Sequence, residues 1–254
     1  DFDGVDTHRI TGTFTGALSD QDRQFRGTWK SADGKRSLPF AFTAIAEYRT
    51  LTINTKNLTS RGTYPQFLST APGWKPLTMQ LRARVQTAQQ RFVKEMAGKP
   101  HPVEGIKFEQ EYDIGVSYAG SGLASLLINE YTEFGGAHPT AVDASVNYLV
   151  TGNQPRLLGL NDLFTPGSGY LDAIFQLVVA DLNRQKKARE VDPVWEMFST
   201  ADLKVYSLSP RSITFVFSQY VAGPDAEGNY AVRIPYSQVK EYINPKGPLA
   251  RFVK

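Results

Sequence analysis

The periodicity of residues 76–96 constrains this chain more than any other feature. Apolar side chains recur at Leu77, Leu81, Val85, Ala88, Phe92 and Met96. Steps of three and four put all six on one face of an α-helix of about six turns. Pro76 suits its first turn, where a missing N–H costs nothing, and Gly98 with Pro100 suits its end. A helix this long with one apolar stripe needs a flat apolar surface to cover. Residues 108–118 supply one, alternating apolar and polar side chains for several residues, with 123–131 and 141–150 as a second and a third strand. Ser121-Gly122 is the turn between the first two, and Thr151-Gly152-Asn153 closes the third. Short connections imply an antiparallel meander, with the helix lying across one of its faces.

The rest of the chain reads with the same two periods. Ile10–Gly16, Phe25–Trp29 and Leu38–Phe42 look like short strands, with Asp33-Gly34 as a tight hairpin turn. A hairpin of this size is marginal alone, so it docks on the rest or belongs to a larger sheet. Tyr48–Asn54 is a further strand, and Tyr64–Leu68 follows a polar loop. Asn161–Phe164 turns into a second helix over 170–187, whose inner face would be Leu171, Ile174, Phe175, Val178 and Leu182. A short helical piece is expected near 193–197, strands at 209–217 and 230–234, and a short helix over 235–243 ended by Pro245. The fold class is therefore α+β: antiparallel sheets, each packed by a helix, in two related halves with an N-terminal β-hairpin appendage. The corresponding segments are 1–46, 47–148 and 149–254.

Composition removes several functions. Of 254 residues, 28 are basic and 25 acidic, and a net charge of +3 gives no field that would gather nucleic acid. The basic run at Arg184–Arg189 reads as a solvated helix end, where cations favour the negative end of the helix dipole. The absence of cysteine excludes disulfides, thiolate metal sites and cysteine nucleophiles. No apolar stretch approaches the ~20 residues that span a bilayer. The chain opens at Asp1 without a signal-peptide pattern, which reads as a mature or truncated form with any export signal or membrane anchor lying upstream.

Chemistry concentrates in Tyr131-Thr-Glu-Phe-Gly-Gly-Ala-His-Pro139. Gly135 and Gly136 allow a sharp turn, and Pro139 fixes its exit while holding His138 extended. His138 reads as a turn residue with its ring hydrogen-bonded nearby, or as a surface recognition residue. A metal site would need partners, and His8 and His101 sit in unrelated loops. Glu130, Glu133, Asp143 and Asp162 are the carboxylates that could pair for sugar cleavage, although Asp162 looks like a helix cap. No Gly-x-Ser-x-Gly elbow and no phosphate-binding glycine loop is present. Tyr112, Tyr118, Tyr131, Phe134 and Tyr148 lie on or beside the meander, and those facing away from the helix would suit a sugar or protein surface.

Several blocks in order resemble one family. They are Glu133–Pro139, then Asn147–Gly152, Leu157–Phe164, a helix, Gln219-Tyr220, Gly223-Pro224, Gly228 and Arg233-Ile-Pro-Tyr-Ser237. Together they resemble the extracytoplasmic domain shared by the anti-sigma factor RsiV and peptidoglycan deacetylases of the PdaC type, over about residues 47–245. The resemblance implies an exported or periplasmic module of the cell envelope. Its expected partner is a lysozyme-like protein or a peptidoglycan-type glycan, without nucleic acid, cofactor, metal or catalytic residues. The family's separate deacetylase domain has no counterpart here. The expected contact residues are Phe134, Gly135, Gly136 and His138 in the turn, with Tyr220, Pro224, Asp225 and Glu227 in the loop 219–228. Relatives often carry an aromatic residue where this chain has Asp225. Asp225 and Glu227 would complement a cationic partner. The rival expectation is a carbohydrate-active hydrolase or deacetylase acting on cell-wall glycans through Glu133 and His138; a third is a purely structural spacer.

Overall fold

A computed structural model describes residues 11–19, 21, 23–101, 103–136 and 138–253; His8 and Ile10 lie outside them. The described residues form twelve strands in three sheets. The largest has six strands in the order β4 (Ala46–Asn54), β5 (Leu58–Phe67), β6 (Phe108–Gly120), β7 (Leu123–Glu133), β8 (Thr140–Leu149) and β9 (Arg156–Leu158). Helix α1 (Trp74–Met96) crosses it and buries all six predicted stripe residues, together with Trp74 and Gln89. The meander β6–β7–β8 is antiparallel as expected. The fold is thus α+β with mainly antiparallel sheets.

One pairing departs from that pattern. β5 and β6 run parallel over Leu58–Thr63 and Phe108–Asp113, because α1 carries the chain back to the starting end of the sheet. β5 also begins at Leu58, inside the expected polar loop. Its inward positions there are the small residues Ser60 and Gly62, which hide the alternation. They are small because α1 lies on them: a Cβ on Gly62 would stand 2.2 Å from Val85 Cγ1. Gln89 Nε2 of α1 donates to the carbonyls of Leu51 (3.0 Å) and Ser60 (3.1 Å). Pro65 sits beyond the last β5–β6 pair, where a missing N–H breaks no ladder.

The second unit is a three-stranded antiparallel sheet, β10 (Tyr206–Leu208), β11 (Ser212–Phe217) and β12 (Tyr230–Pro235), packed by α3 (Tyr170–Ala188) after the single turn α2 (Leu160–Leu163). Ile174, Val178 and Leu182 of α3 are buried as expected, whereas Leu171 and Phe175 are only partly covered. Residues 193–197 are not helical, and 235–243 forms two separate 3₁₀ turns rather than a short helix. β11 begins three residues later than expected, because the Ser209 side chain caps a turn back to Ser212.

This unit sits on the face of the meander opposite α1. Ser125 Oγ accepts from the Leu208 amide (2.8 Å), Ser145 Oγ accepts from the Tyr206 amide (2.9 Å), and Asn147 Nδ2 donates to the Tyr206 carbonyl (3.2 Å). The meander is therefore covered on both sides. Tyr112 and Tyr148 are buried on the α1 side. A register shift between Val116 and Tyr118 turns Tyr118 to the other face, where it meets Phe252. The tyrosines of the meander therefore form no exposed row.

The N-terminal segment is a third sheet, β1 (Gly12–Ser19), β2 (Gln24–Ser31) and β3 (Ser37–Thr43), all antiparallel. Its three strands fall on the three short strands read from the sequence, so the appendage is a three-stranded meander rather than a single hairpin.

Candidate functional site

Where β8 begins, the large sheet and the second unit leave a cleft of about 470 Å³. One wall is the strand entry His138–Asp143. The other is Lys204-Val205, Val216 of β11 and the loop from Ser218 to Asp225. Residues about eighty positions apart in sequence thus face one space. Of the eight expected contact residues, His138, Tyr220 and Asp225 line it.

Asp143 ties the two walls together. Its amide donates to Ser218 Oγ (3.0 Å), and that hydroxyl donates back to Asp143 Oδ2 (3.0 Å). Asn229 Nδ2 reaches the same carboxylate oxygen (2.9 Å), and Asn129 Nδ2 reaches Oδ1 (3.1 Å). Asn229 also accepts from the Gln219 amide (3.1 Å), fixing the start of the loop. Tyr220 follows with φ 65°, a left-handed conformation that a bulky residue adopts only when its surroundings impose it. Its side chain is 65% exposed at the cleft.

The far end of the loop is held from below. Glu227 was expected at the contact surface, but its side chain is 7% exposed and its Oε2 accepts from Lys186 Nζ and from Tyr230 Oη, each at 2.6 Å. Burial opposes ionisation of Glu227; the Lys186 and Tyr230 hydrogen bonds and the charges of Lys186 and Arg189 outweigh it, so the carboxyl titrates below its ordinary value. Burial, together with the same carboxylate, pushes the Tyr230 phenol up to about 12. Arg189 lies 4.4 Å over the Tyr230 ring and donates to the Glu227 carbonyl (2.9 Å). Gly223 passes over the ion pair so closely that a Cβ would stand 2.5 Å from Glu227 Oε2 and 2.6 Å from Lys186 Nζ. The basic run 184–189 is therefore not simply solvated: Lys186 is 1% exposed and anchors the loop.

The remaining candidates separate. Phe134 turns to the α1 side, its ring 6.0 Å from Phe92. Gly135 has φ 77°, and its amide donates to Glu133 Oε1 (2.5 Å), closing the turn. Gly136 and Pro224 are exposed without lining the cleft. Glu130 projects to the α1 side, where it accepts from Arg91 and Gln110. Glu133 stands three residues on, so it projects from the opposite face. Asp162 is a cap, accepting from the Gly159 amide (2.9 Å) and Arg156 (2.6 Å), and the Arg156 hydrogen bond holds its carboxyl below the ordinary range despite partial burial. No group of three metal-ligating side chains converges among the described residues. Among them, no helix is long and apolar enough to cross a membrane.

Comparison with known proteins follows the same division of the chain. Residues 161–237, from α2 to the turn after β12, match a family described as protein of unknown function (DUF3298). A DUF3298 family structure from Pseudomonas aeruginosa PAO1 superposes with a TM-score of 0.57 at 16% identity, covering 79% of this chain and 95% of that one. Another from Bacteroides fragilis NCTC 9343 gives 0.54 at 17% identity, covering 82% and 97%. These matches support a DUF3298 domain and its α+β fold. Esterase Rv3036c of Mycobacterium tuberculosis (strain ATCC 25618 / H37Rv) is 26% identical over 115 residues, 45% of this chain and 50% of that protein. The chain thus spans about half the length of that relative.

Proposed function

We propose that this chain is a non-enzymatic binding module of the cell envelope, and that the cleft between β8 and the 218–225 loop is its contact surface. The observation that carries the reading is Tyr220: an exposed aromatic side chain, held with a left-handed backbone beside His138 and Asp225 on a braced loop. Rigid aromatics supply contact area at little entropic cost, which suits recognition. Asp143, Asp202 and Asp225 outnumber the one cation, Lys204, along the cleft, which favours a cationic partner surface. A lysozyme-like protein fits that charge, and a peptidoglycan-type glycan fits the tyrosine. The resemblance to RsiV and PdaC supports the envelope location.

A second reading, an esterase-like hydrolase, has one observation in its favour. Ser218, Asp143 and His138 line the same cleft, and the half-length relative is named an esterase. Against it, the hydrogen bonds of Ser218 Oγ run to Asp143 rather than to a histidine base.

Surface plasmon resonance against a lysozyme and against soluble muropeptides tests the binding reading. Tyr220→Ala and Asp225→Lys are expected to weaken binding tenfold or more with unchanged folding. Wild type that binds neither probe, or variants that bind equally well, would remove it. Turnover of p-nitrophenyl esters or chitin oligomers that is lost in Ser218→Ala or Glu133→Gln would establish the hydrolase instead.

A further inference from the structure

The N-terminal sheet sorts its side chains completely. The pairings Phe14↔Trp29↔Leu38, Leu18↔Phe25↔Phe42 and Gly16↔Gly27↔Phe40 put every large apolar residue of β1–β3 on one face. The other face carries Thr13, Thr15, Gln24, Arg26, Thr28 and Lys30. On the apolar face the Phe40 ring lies 5.0 Å from Phe14, 5.0 Å from Phe25 and 4.9 Å from Phe42, forming one continuous aromatic layer. Nothing in the described chain covers it: Phe14 is 50% exposed, Leu18 69%, Leu38 57% and Phe42 52%. A three-stranded sheet owes its stability to burying such a face, and a bare patch of this kind marks an interaction surface.

We infer that this face is a homodimer interface, with the aromatic layers of two copies packed face to face about a two-fold axis. Three features favour a second copy as the occupant. Its exposed Phe and Leu side chains present roughly 500 Å² of apolar surface per copy, so a pair buries about 1,000 Å² from them alone, the size at which a specific interface becomes stable. The layer holds no charged side chain, so self-pairing brings no like charges together, as an isologous contact requires. Arg26 and Lys30 project from the opposite face, away from where anionic headgroups would lie, which disfavours a membrane. Two such sheets would stack as a small β-sandwich, spaced as sheets in a core are.

Sedimentation equilibrium of the 254-residue chain over the micromolar range tests the inference. The expected result is a reversible monomer–dimer equilibrium. Leu18→Lys combined with Leu38→Lys alters only exposed positions and should weaken dimerisation at least a hundredfold with an unchanged far-ultraviolet spectrum. Thr28→Lys, on the polar face, should dimerise like wild type. A wild type that stays monomeric overturns the inference, whatever vesicle or envelope extract it binds. So does a dimer that the double variant leaves intact or that Thr28→Lys dissociates equally. The cleft variants Tyr220→Ala and Asp225→Lys leave this readout untouched, so the two proposals fail separately.

Discussion

Removing one partner of the Lys186–Glu227 pair should be among the most damaging single changes in the second unit. Glu227→Leu deletes the acceptor of a cation that is 1% exposed, and it strands the hydroxyl of Tyr230, itself 2% exposed. An unpaired buried charge costs about 3–5 kcal/mol, and an orphaned buried hydroxyl adds about 1–3 kcal/mol; relaxation of the loop and water entry recover part of this, so about 4 kcal/mol is expected. Lys186→Met should cost less, about 2 kcal/mol, because Tyr230 and Arg189 still attend the carboxylate. The double variant replaces the pair with apolar groups of similar length, and its loss should fall well below the sum of the singles, with a coupling energy of about 2–3 kcal/mol. Urea unfolding of the four proteins at neutral pH, followed by tryptophan fluorescence, measures the cycle. Additivity to within about 0.5 kcal/mol would refute the claim that the two groups depend on each other. The singles should also weaken cleft binding, although neither residue touches the cleft, because they release the loop that carries Tyr220.

Three further outcomes follow from the same geometry. Glu227 titrates below its ordinary value of 4.5, so its contribution is fully present above that pH and is lost as pH falls through its depressed folded value; wild type should lose stability over this acid window more steeply than Glu227→Gln in matched melts. Gly62→Ala drives a methyl into Val85 and should cost about 1–3 kcal/mol in urea unfolding, relieved when combined with Val85→Ala. Tyr220→Gly removes a left-handed strain worth about 1 kcal/mol, so it should raise the melting temperature while weakening partner binding, whereas Tyr220→Ala weakens binding without that gain.

Much of the architecture was legible in the sequence wherever the two faces of an element differ in polarity. The α1 stripe, the meander and the aromatic alternation of β1–β3 all follow from that rule. Its failures are equally physical. β5 was obscured because α1 demands small or polar inward residues, Ser60 and Gly62, where alternation would place apolar ones. Lys186 continues the four-residue step Ile174, Val178, Leu182, so the period pointed inward while its charge suggested solvent. Only Glu227, forty-one residues on, reconciles the two.

The cleft shows the other limit. His138, Tyr220 and Asp225 could be picked as unusual residues in turns, but their proximity could not, nor could the bracing of Asp143 by Ser218, Asn129 and Asn229. Local order along this chain is written in periodicity, because each residue's burial follows from its step within a helix or strand. Which distant segments meet is decided by the packing of the β10–β12 sheet on the meander, and that contact is made by hydroxyls and amides whose partners no spacing encodes.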